Sequence, residues 1–391
     1  MKTLSKLQQL SFIIRREFLA ISTSYAVLLV LMGGIFVYGL LYNYMYAPNI
    51  VTDVPVAVVD NSHSELSRDF IRWLDATPQA EIYSQAMDYH EAKEWMKEGK
   101  VQGILYLPHD FEKRVFRGDE AVFSLYATTD AFLYFEALQG ASSRVMLAIN
   151  DKYRPDEAVF LPPQGLLAVA MAKPINVEGT ALYNYTEGYG SYLIPAVMMI
   201  IIFQMVIGMV TGEEYSSKGI RAYTPLGYGW GVAIRIVAGK TSVYCALYAI
   251  FAFFLLGLLP HFFSIPNIGN GLYIVLLLIP YLMATSFLGL AASRYFTDSE
   301  APLLMIAFFS VGLIFLSGVS YPMELMPWYW KAAHYILPAA LGTLAFVKLN
   351  SMGASMADIR PEYITLWIQV LIYFIISIWV YKKKLESDPI S

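Results

Sequence analysis

Charged side chains are scarce in this chain. Of 391 residues, 27 are Lys or Arg and 31 are Asp or Glu, so 15% are charged while 57% are hydrophobic. Soluble domains usually carry about 25% charged residues, and the mean hydropathy is +0.50. This composition excludes an ordinary soluble globular protein and indicates an integral membrane protein in a lipid bilayer. The net charge of −4 gives no reason to expect nucleic acid as a partner.

Cysteine and membrane-depth charge are also nearly absent. Cys245 is the one cysteine, so an intrachain disulfide is excluded, and inside its apolar run it is expected to be a small buried hydrophobe. Ion-coupled transporters keep ionisable side chains at mid-bilayer, and the apolar runs here hold almost none. A secondary transporter driven by protons or sodium is therefore disfavoured. Gln204 and Gln369 are the deepest polar side chains and are expected to hydrogen-bond between helices.

The first 46 residues read as an amphipathic helix followed by a membrane span. Leu4–Ala20 alternates apolar and basic residues, which favours a helix lying along the headgroups within a cytoplasmic segment 1–24. Residues 25–46 then offer about twenty uncharged positions, enough to cross ~30 Å of hydrocarbon. The basic residues precede this span and few charges follow it, so the positive-inside rule places the N-terminus in the cytoplasm.

Residues 47–188 have the composition of a soluble domain. Short β-branched runs alternate with helical patterns, which predicts a small α/β layer. Asp60, Ser62 and His63 lie close together in this domain and have the residue types of a catalytic triad. They fall, however, at a predicted strand-to-helix turn, where such residues favour helix capping. Because the chain has crossed the membrane once, the domain is predicted to be extracytoplasmic.

The second half of the chain, 189–381, predicts five more spans and a cytoplasmic tail at 382–391. The expected fold class is a mostly α membrane protein with six transmembrane helices plus a small α/β extracytoplasmic domain. Lysines end the last span and the predicted outer connection His261–Asn270 has no Lys or Arg, in agreement with the positive-inside rule. The five spans are Tyr189–Thr211, Ala233–Leu259, Gly271–Ser293, Ala301–Val319 and Tyr363–Tyr381.

One short motif invites a nucleotide-binding interpretation. The letters GKTS at 239–242 end a phosphate-binding loop when a glycine stands five residues before the Gly-Lys pair. Ile234 stands there instead, and the surrounding residues read as a helix entering the membrane. Nucleotide binding by this chain is therefore not expected.

Five segments together resemble a known family of membrane permeases. They are VPVAVVDNSHSELSRDF at 54–70, EGKVQGILYLPHDFEKRVFRG at 98–118, LYNYTEGYGSYLIPAV at 182–197, a spaced GEE…KG…TP…GK pattern within 211–240, and LSGVSYPMELMPWYWKAAHYILP at 316–338. The chain is similar to a permease subunit of the type-2 ABC exporters, in the branch with a large extracytoplasmic domain between the first and second spans.

The resemblance implies roles for two segments. The loop 212–232 would face the nucleotide-binding partner, and the segment 320–350 would be an outer re-entrant segment that closes the translocation path. The aromatic residues of the second segment also suit a plain anchor at the membrane–water interface. The expected coupling residues are Glu213, Glu214, Gly219, Arg221, Thr224, Pro225, Gly239 and Lys240. The expected outer-gate residues are Pro322, Pro327, Trp328 and Pro338.

The resemblance further implies an ATP-driven exporter of the bacterial inner membrane. This chain would bind no cofactor and perform no bond chemistry, because ATP and Mg²⁺ would lie on separate ABC ATPase subunits. A second copy or a paralogue would complete the permease, and the resemblance leaves room for a periplasmic adaptor protein. The apolar spans favour an amphipathic, lipid-like or drug-like cargo.

Two other classes stay open from the sequence alone. One is a membrane-anchored receptor or scaffold whose extracytoplasmic domain binds an envelope partner, and co-purification of an ATPase distinguishes it from the permease. The other is a membrane-embedded enzyme that acts on lipids. That class needs a polar catalytic cluster near an interface, and none is evident in the sequence.

Overall fold

The computed structural model describes residues 5–47, 51–117, 121–127, 132–153, 188–216, 223, 226–293, 295 and 310–387. The chain divides into two compact units. We call the one formed by Met1–Ala47 and Leu182–Ser391 the helical unit, and the one formed by Pro48–Ala181 the α/β unit. The extracytoplasmic location of the α/β unit stays a prediction.

The N-terminal part of the helical unit begins with a capped helix. In α1 (Lys6–Thr23), Ser5 and Gln8 form a capping box: the Ser5 hydroxyl accepts from the Gln8 backbone N–H at 3.3 Å, and the Gln8 side chain accepts from the Ser5 N–H at 2.9 Å. Two backbone donors that the first turn leaves without helical partners are thereby satisfied. The predicted first span follows as α2 (Tyr25–Met32), a π-helical segment (Gly33–Tyr38) and α3 (Gly39–Met45).

The α/β unit is a mostly parallel sheet with helices on both faces, as the alternating pattern predicts. The strand order is β2-β1-β3-β4, with β1 parallel to β2 and β3, and β4 antiparallel to β3. Side chains alternate along β1, so Val56 and Val58 join one buried cluster while Ala57 and Val59 join another. The elements are β1 (Val54–Asp60), α4 (Glu65–Asp75), β2 (Ala80–Gln85), α5 (Tyr89–Lys97), β3 (Gly103–Leu107), α6 (Phe111–Arg117), β4 (Ser124–Ala127) and α7 (Phe132–Tyr153).

The turn between β1 and α4 confirms the capping interpretation of Asp60. One carboxylate oxygen of Asp60 accepts from the backbone N–H groups of Ser62 and His63 at 3.0 and 3.1 Å. The other accepts from the Ser67 hydroxyl at 2.8 Å. Ser64 is the N-cap itself. Asp60 therefore organises the start of α4, which gives this polar residue a structural role.

The rest of the helical unit consists of long apolar helices. Counting the first span, five segments of the described residues are long and apolar enough to cross a bilayer, or six if a helix pair bent by 88° counts as one span. The elements are α8 (Tyr189–Ser216), α9 (Trp230–Phe253), a π-helical segment (Phe254–Leu258), α10 (Leu259–Phe262), α11 (Gly271–Ala292), a 3₁₀ turn (Met323–Leu325), α12 (Trp328–Ile336), α13 (Pro338–Met352) and α14 (Arg360–Ser387). Residues 301–309 of the predicted span 301–319 lie outside the described residues, and 310–316 are helical.

Contacts along the helices show their relative directions. The Tyr281 hydroxyl of α11 donates to the Met199 carbonyl of α8 at 2.7 Å. Further along both helices, Gly289 of α11 lies against Val210 of α8, so α8 and α11 run in the same direction. In the first span, Gly34 lies against Met205 of α8, whereas Asn43 contacts Met198.

The first span is thus antiparallel to α8, as a chain that crosses the bilayer repeatedly requires. In α11 and α14, Phe287 lies next to Phe374, and further along Ser293 accepts from the Lys384 ammonium at 3.2 Å. Hence α8, α11 and α14 share one direction. The loop before α11 and the end of α13 meet at one end of the unit, where Ile268 donates to the Asn350 carbonyl at 3.1 Å.

Candidate functional site

The predicted coupling loop is shorter than expected. The helix α8 continues to Ser216 instead of ending at Thr211, and α9 begins at Trp230 instead of Ala233. Glu213 and Glu214 therefore lie in the last turns of α8. Four other expected coupling residues lie outside the described residues: Gly219, Arg221, Thr224 and Pro225. Within 217–226 the structure describes two residues, Tyr223 and Leu226.

Gly239 and Lys240 lie inside α9, which agrees with the helical interpretation of GKTS. A Cβ atom added at Gly239 would lie 2.8 Å from Ile13 Cγ2 of α1. Glycine at this position therefore lets α1 pack closely against α9, because any side chain would force the helices apart. The next residue, Lys240, is fully buried.

Lys240 binds a buried carboxylate on α1. Its ammonium donates to Glu17 Oε1 at 2.9 Å, and both side chains are 0% exposed. The Tyr223 hydroxyl donates to Glu17 Oε2 at 2.7 Å, and the Tyr244 hydroxyl donates to Oε1. We call these four residues the Glu17 cluster. Both carboxylate oxygens have partners, which offsets the large desolvation penalty of burying an ion pair.

Tyr223 lies between two cations. The Arg16 guanidinium carbon is 4.3 Å from the centroid of the Tyr223 ring, and the Lys240 nitrogen is 5.7 Å from it. Cation–π attraction holds the ring while its hydroxyl binds Glu17. Tyr223, which is 1% exposed, therefore attaches the segment between α8 and α9 to α1 and to α9.

The sequence interpretation missed three members of this cluster: Glu17, Tyr223 and Tyr244. A signal for Glu17 was present, because it is the first acidic residue of the chain and no other precedes Asp53. Glu17 also lies midway between Ile13 and Ile21, four residues from each, and so shares the buried face of α1 with them. An acid on the apolar face of a basic helix predicts a buried cationic partner. No comparable signal marked the two tyrosines.

Lys240 was expected among the coupling residues, and its side chain has no exposed surface with which to touch a partner in this structure. Any contribution of Lys240 to coupling therefore passes through Glu17 and the elements attached to it. Gly239 likewise acts through helix packing. The coupling role of all eight expected residues stays a prediction.

The second candidate segment contains α12 and α13, the pair of helices with a sharp bend between them. Pro327 is the N-cap of α12 and Pro338 is in the first turn of α13, positions where proline's missing N–H costs no helical hydrogen bond. Pro322 precedes the 3₁₀ turn. The two helices meet at 88°, and prolines stand where the short helices of this segment begin. Trp328 is 80% exposed, which also suits an interfacial anchor.

The junction between α12 and α13 packs against α14. Gln369 donates to the Tyr335 carbonyl at 2.8 Å, and Tyr373 donates to the Ile336 carbonyl. Gln369 therefore makes the helix–helix hydrogen bond that its depth predicts. Gln369 lies nine residues after the start of α14, so its contact with α12 is about 14 Å along α14 from that end, at 1.5 Å per residue. At its other end α13 meets the start of α14, where the Lys348 ammonium is 2.6 Å from Glu362 Oε1.

Two comparisons with known proteins returned nothing: no curated protein and no solved structure matches the chain. A family model does match. It describes an ABC-2 family transporter protein and covers residues 16–379, nearly the whole chain and both units. Proteins of this family are membrane permeases that work with separate ABC ATPase subunits. The chain therefore belongs to the ABC-2 transporter family, as a multi-pass permease subunit of an ABC transporter.

Proposed function

We propose that this permease subunit exports an amphipathic, lipid-like or drug-like cargo across the bacterial inner membrane. The end that carries the Glu17 cluster faces the cytoplasm and the ATPase subunit, which holds ATP and Mg²⁺. The basic residues of α1 and of Lys382–Lys384 support this orientation, because cytoplasmic flanks of spans are enriched in Lys and Arg. A second copy or a paralogue completes the permease.

The Glu17 cluster is the observation that carries this proposal. It joins the segment after α8 to α1 and α9 by hydrogen bonds and an ion pair that exclude water. Buried charge pairs are geometrically demanding and costly to break, so the joined elements move as one body. ATP-driven movement of the partner against this segment is thereby passed to the membrane helices.

The cargo class is supported by a small cavity. A space of about 100 Å³ lies between the first span, α8 and the helical residues 310–316. Its lining is apolar apart from Tyr38, Tyr42, Gln204 and Ser310. An apolar lining with a few hydroxyl and amide groups suits an amphipathic molecule. Because ligand sites usually have about 300–1,000 Å³, the cavity must widen during the transport cycle.

For the outer gate, the bent helix pair α12–α13 supports a closing role. Broken helices at membrane depth occur where they are enclosed by protein or line a water-filled path. Pro322, Pro327 and Pro338 begin the successive short pieces. A structure of the assembled transporter that placed Trp328 and these prolines on the lipid-facing flank, far from the axis between the permeases, would contradict this role.

The test of the proposal uses two acids at the end of α8. The substitutions Glu213→Lys and Glu214→Lys together are expected to lower transport-coupled ATPase activity while leaving membrane insertion intact. Cargo should accumulate in inside-out vesicles only when ATP and the ATPase partner are present. A control with the same charge change is Glu81→Lys with Glu136→Lys, two exposed positions of the α/β unit. Unaltered transport in the Glu213/Glu214 variant counts against the proposal.

An exposed aromatic surface on the α/β unit favours a second function, the receptor or scaffold. Met87 is 93% exposed and Tyr83 is half exposed. Tyr89 of α5 and Tyr126 of β4 are also partly exposed, with ring centroids 5.1 Å apart. Exposed apolar and aromatic patches mark protein-binding surfaces. If the protein purified from its own membranes carries an envelope partner and no ATPase, the scaffold function is supported; a co-purifying ATPase supports the exporter.

A further inference from the structure

An apolar groove runs along the outside of the helical unit between α9, α11 and α14. Its volume is about 720 Å³, within the size range of ligand sites. The lining includes Ala238 and Ser242 of α9, Phe287 of α11, and Leu371 and Phe374 of α14. These helices are apolar enough to span a bilayer, where lipid acyl chains are available to fill an apolar groove.

One polar side chain in the groove has no partner. The Thr241 side chain lines the groove, is 4% exposed, and its hydroxyl makes no hydrogen bond among the described residues. Serine and threonine in membrane helices commonly bond back to a carbonyl one turn earlier, as Thr285 and Ser377 do here. A buried hydroxyl without a partner costs free energy, and an acceptor group of a bound molecule would remove that cost.

Basic side chains lie at one end of the groove. On α9, Arg235 precedes Ala238 by three residues and Ser242 by seven, so all three share one helix face. Its Nε is buried and has no hydrogen-bond partner among the described residues. On α14, the Lys382 ammonium lies 4.6 Å from the ring centroid of Trp230, the first residue of α9. Both basic residues therefore lie where α9 begins and α14 ends.

Among the described residues, Lys382 pairs with the acidic Glu386 at 3.2 Å, and the Glu386 side chain is 54% exposed. Exposed pairs of this kind contribute little, so Lys382 remains able to bind another anion. Tryptophan at this level also suits the headgroup region.

We propose that the groove binds one anionic phospholipid. The phosphate headgroup binds Arg235 and Lys382, and the acyl chains fill the apolar groove past Phe287 and Phe374. Thr241 is six residues beyond Arg235, about 9 Å along the helix. Its hydroxyl donates to an ester carbonyl of the lipid, below the phosphate. Basic pockets between membrane helices recognise anionic headgroups in this way. The site is on this chain's own helices and does not depend on the direction of transport.

The first experiment tests the headgroup. The full chain in detergent is titrated with phosphatidylglycerol or phosphatidylcholine of equal chain length, and bound lipid is counted by native mass spectrometry. We expect the first phosphatidylglycerol to bind more tightly than phosphatidylcholine. Arg235→Gln with Lys382→Gln should weaken phosphatidylglycerol binding about 25-fold, since each basic residue near an anionic surface contributes about a factor of five. Lys93→Gln with Lys113→Gln, in the α/β unit, has the same charge change and should have no effect.

A second experiment separates the hydroxyl from the charges. Thr241→Val keeps the side-chain shape and removes the hydroxyl. It should weaken binding of ester-linked phosphatidylglycerol several-fold and leave binding of the ether-linked analogue, which lacks the ester carbonyls, unchanged. Equal binding of the two headgroups by the native chain overturns the proposal, and so does full binding by the Arg235/Lys382 variant. Loss of the bound lipid when two copies associate overturns it as well, because a second copy would then be the occupant of the groove.

Discussion

Glu17 on the N-terminal helix and Lys240 on α9 form an ion pair with an oxygen–nitrogen distance of 2.9 Å, and neither side chain has any exposed surface. The pair lies 223 residues apart in sequence. Two tyrosine hydroxyls complete the coordination of the carboxylate. The pair joins α1 to α9, and Tyr223 of the segment after α8 binds the same carboxylate.

Removing one charge of the pair should destabilise the protein much more than neutralising both charges. Lys240→Met leaves Glu17 buried without its cation, and we expect a loss of about 3–5 kcal/mol in the free energy of unfolding. The double variant Glu17→Gln with Lys240→Met keeps an acceptor oxygen for the tyrosine hydroxyls and has no charge at either position. Unfolding in mixed micelles should show the double variant to be more stable than Lys240→Met alone. Additive losses would contradict the ion pair.

Two tyrosines one turn apart on α9 provide a matched comparison. The Tyr244 hydroxyl donates to Glu17, whereas the buried Tyr248 hydroxyl has no partner among the described residues. Tyr244→Phe should therefore cost about 1.5–3 kcal/mol, the range for hydrogen bonds to charged groups. Tyr248→Phe should be neutral or slightly stabilising. The same unfolding measurement checks both, and equal losses would show that the hydroxyl contact with Glu17 is unimportant.

The close packing of α1 on α9 depends on Gly239. Gly239→Ala brings a methyl group to 2.8 Å from Ile13 Cγ2, and overpacking of this kind costs about 1–3 kcal/mol. Ile13→Ala in the same chain should recover part of the loss by making room. As a control, Gly257→Ala meets only ordinary contacts with Phe253 at 3.8 Å and beyond. If the two glycine variants lose equal stability, the packing argument is wrong.

The bent helix pair depends on a second glycine. A side chain at Gly342 of α13 would collide with the ring of Tyr281, and that ring is fixed because its hydroxyl binds the Met199 carbonyl at 2.7 Å. Gly342→Ala should lower both the yield of folded protein and its melting temperature in detergent. Gly312→Ala meets open space and should leave both unchanged. Normal behaviour of Gly342→Ala would mean that α13 does not pack against α11 as described.

The membrane spans and the α/β layer could be predicted because their signals are local. Run length and hydropathy identified α8, α11 and α14, and β-branched runs alternating with helical patterns identified the sheet. Prolines marked where α12 and α13 begin. Helix ends were less accurate: α8 passes Thr211 and continues through two acidic residues, since tertiary context can extend a helix beyond its apolar part.

The Glu17 cluster could not be assembled from the sequence because its members are distant along the chain. Tyr223 and Tyr244 bind Glu17 from 206 and 227 residues away, and tyrosines are common throughout the chain. The resemblance placed Lys240 among the residues that meet the ATPase, whereas its long-range partner Glu17 holds it inside the protein. Only the isolated acid on the apolar face of α1 carried a local signal.

The most direct test of the account is the number of cargo molecules moved per ATP hydrolysed in inside-out vesicles that contain the permease and its ATPase. Tyr223→Phe removes one hydrogen bond between the loop segment and Glu17 but keeps the ring between its two cations. We predict a lower transport-to-ATP ratio for Tyr223→Phe, with normal ATPase binding, and an unchanged ratio for Tyr248→Phe. An unchanged ratio for Tyr223→Phe would contradict the role of the Glu17 cluster in coupling.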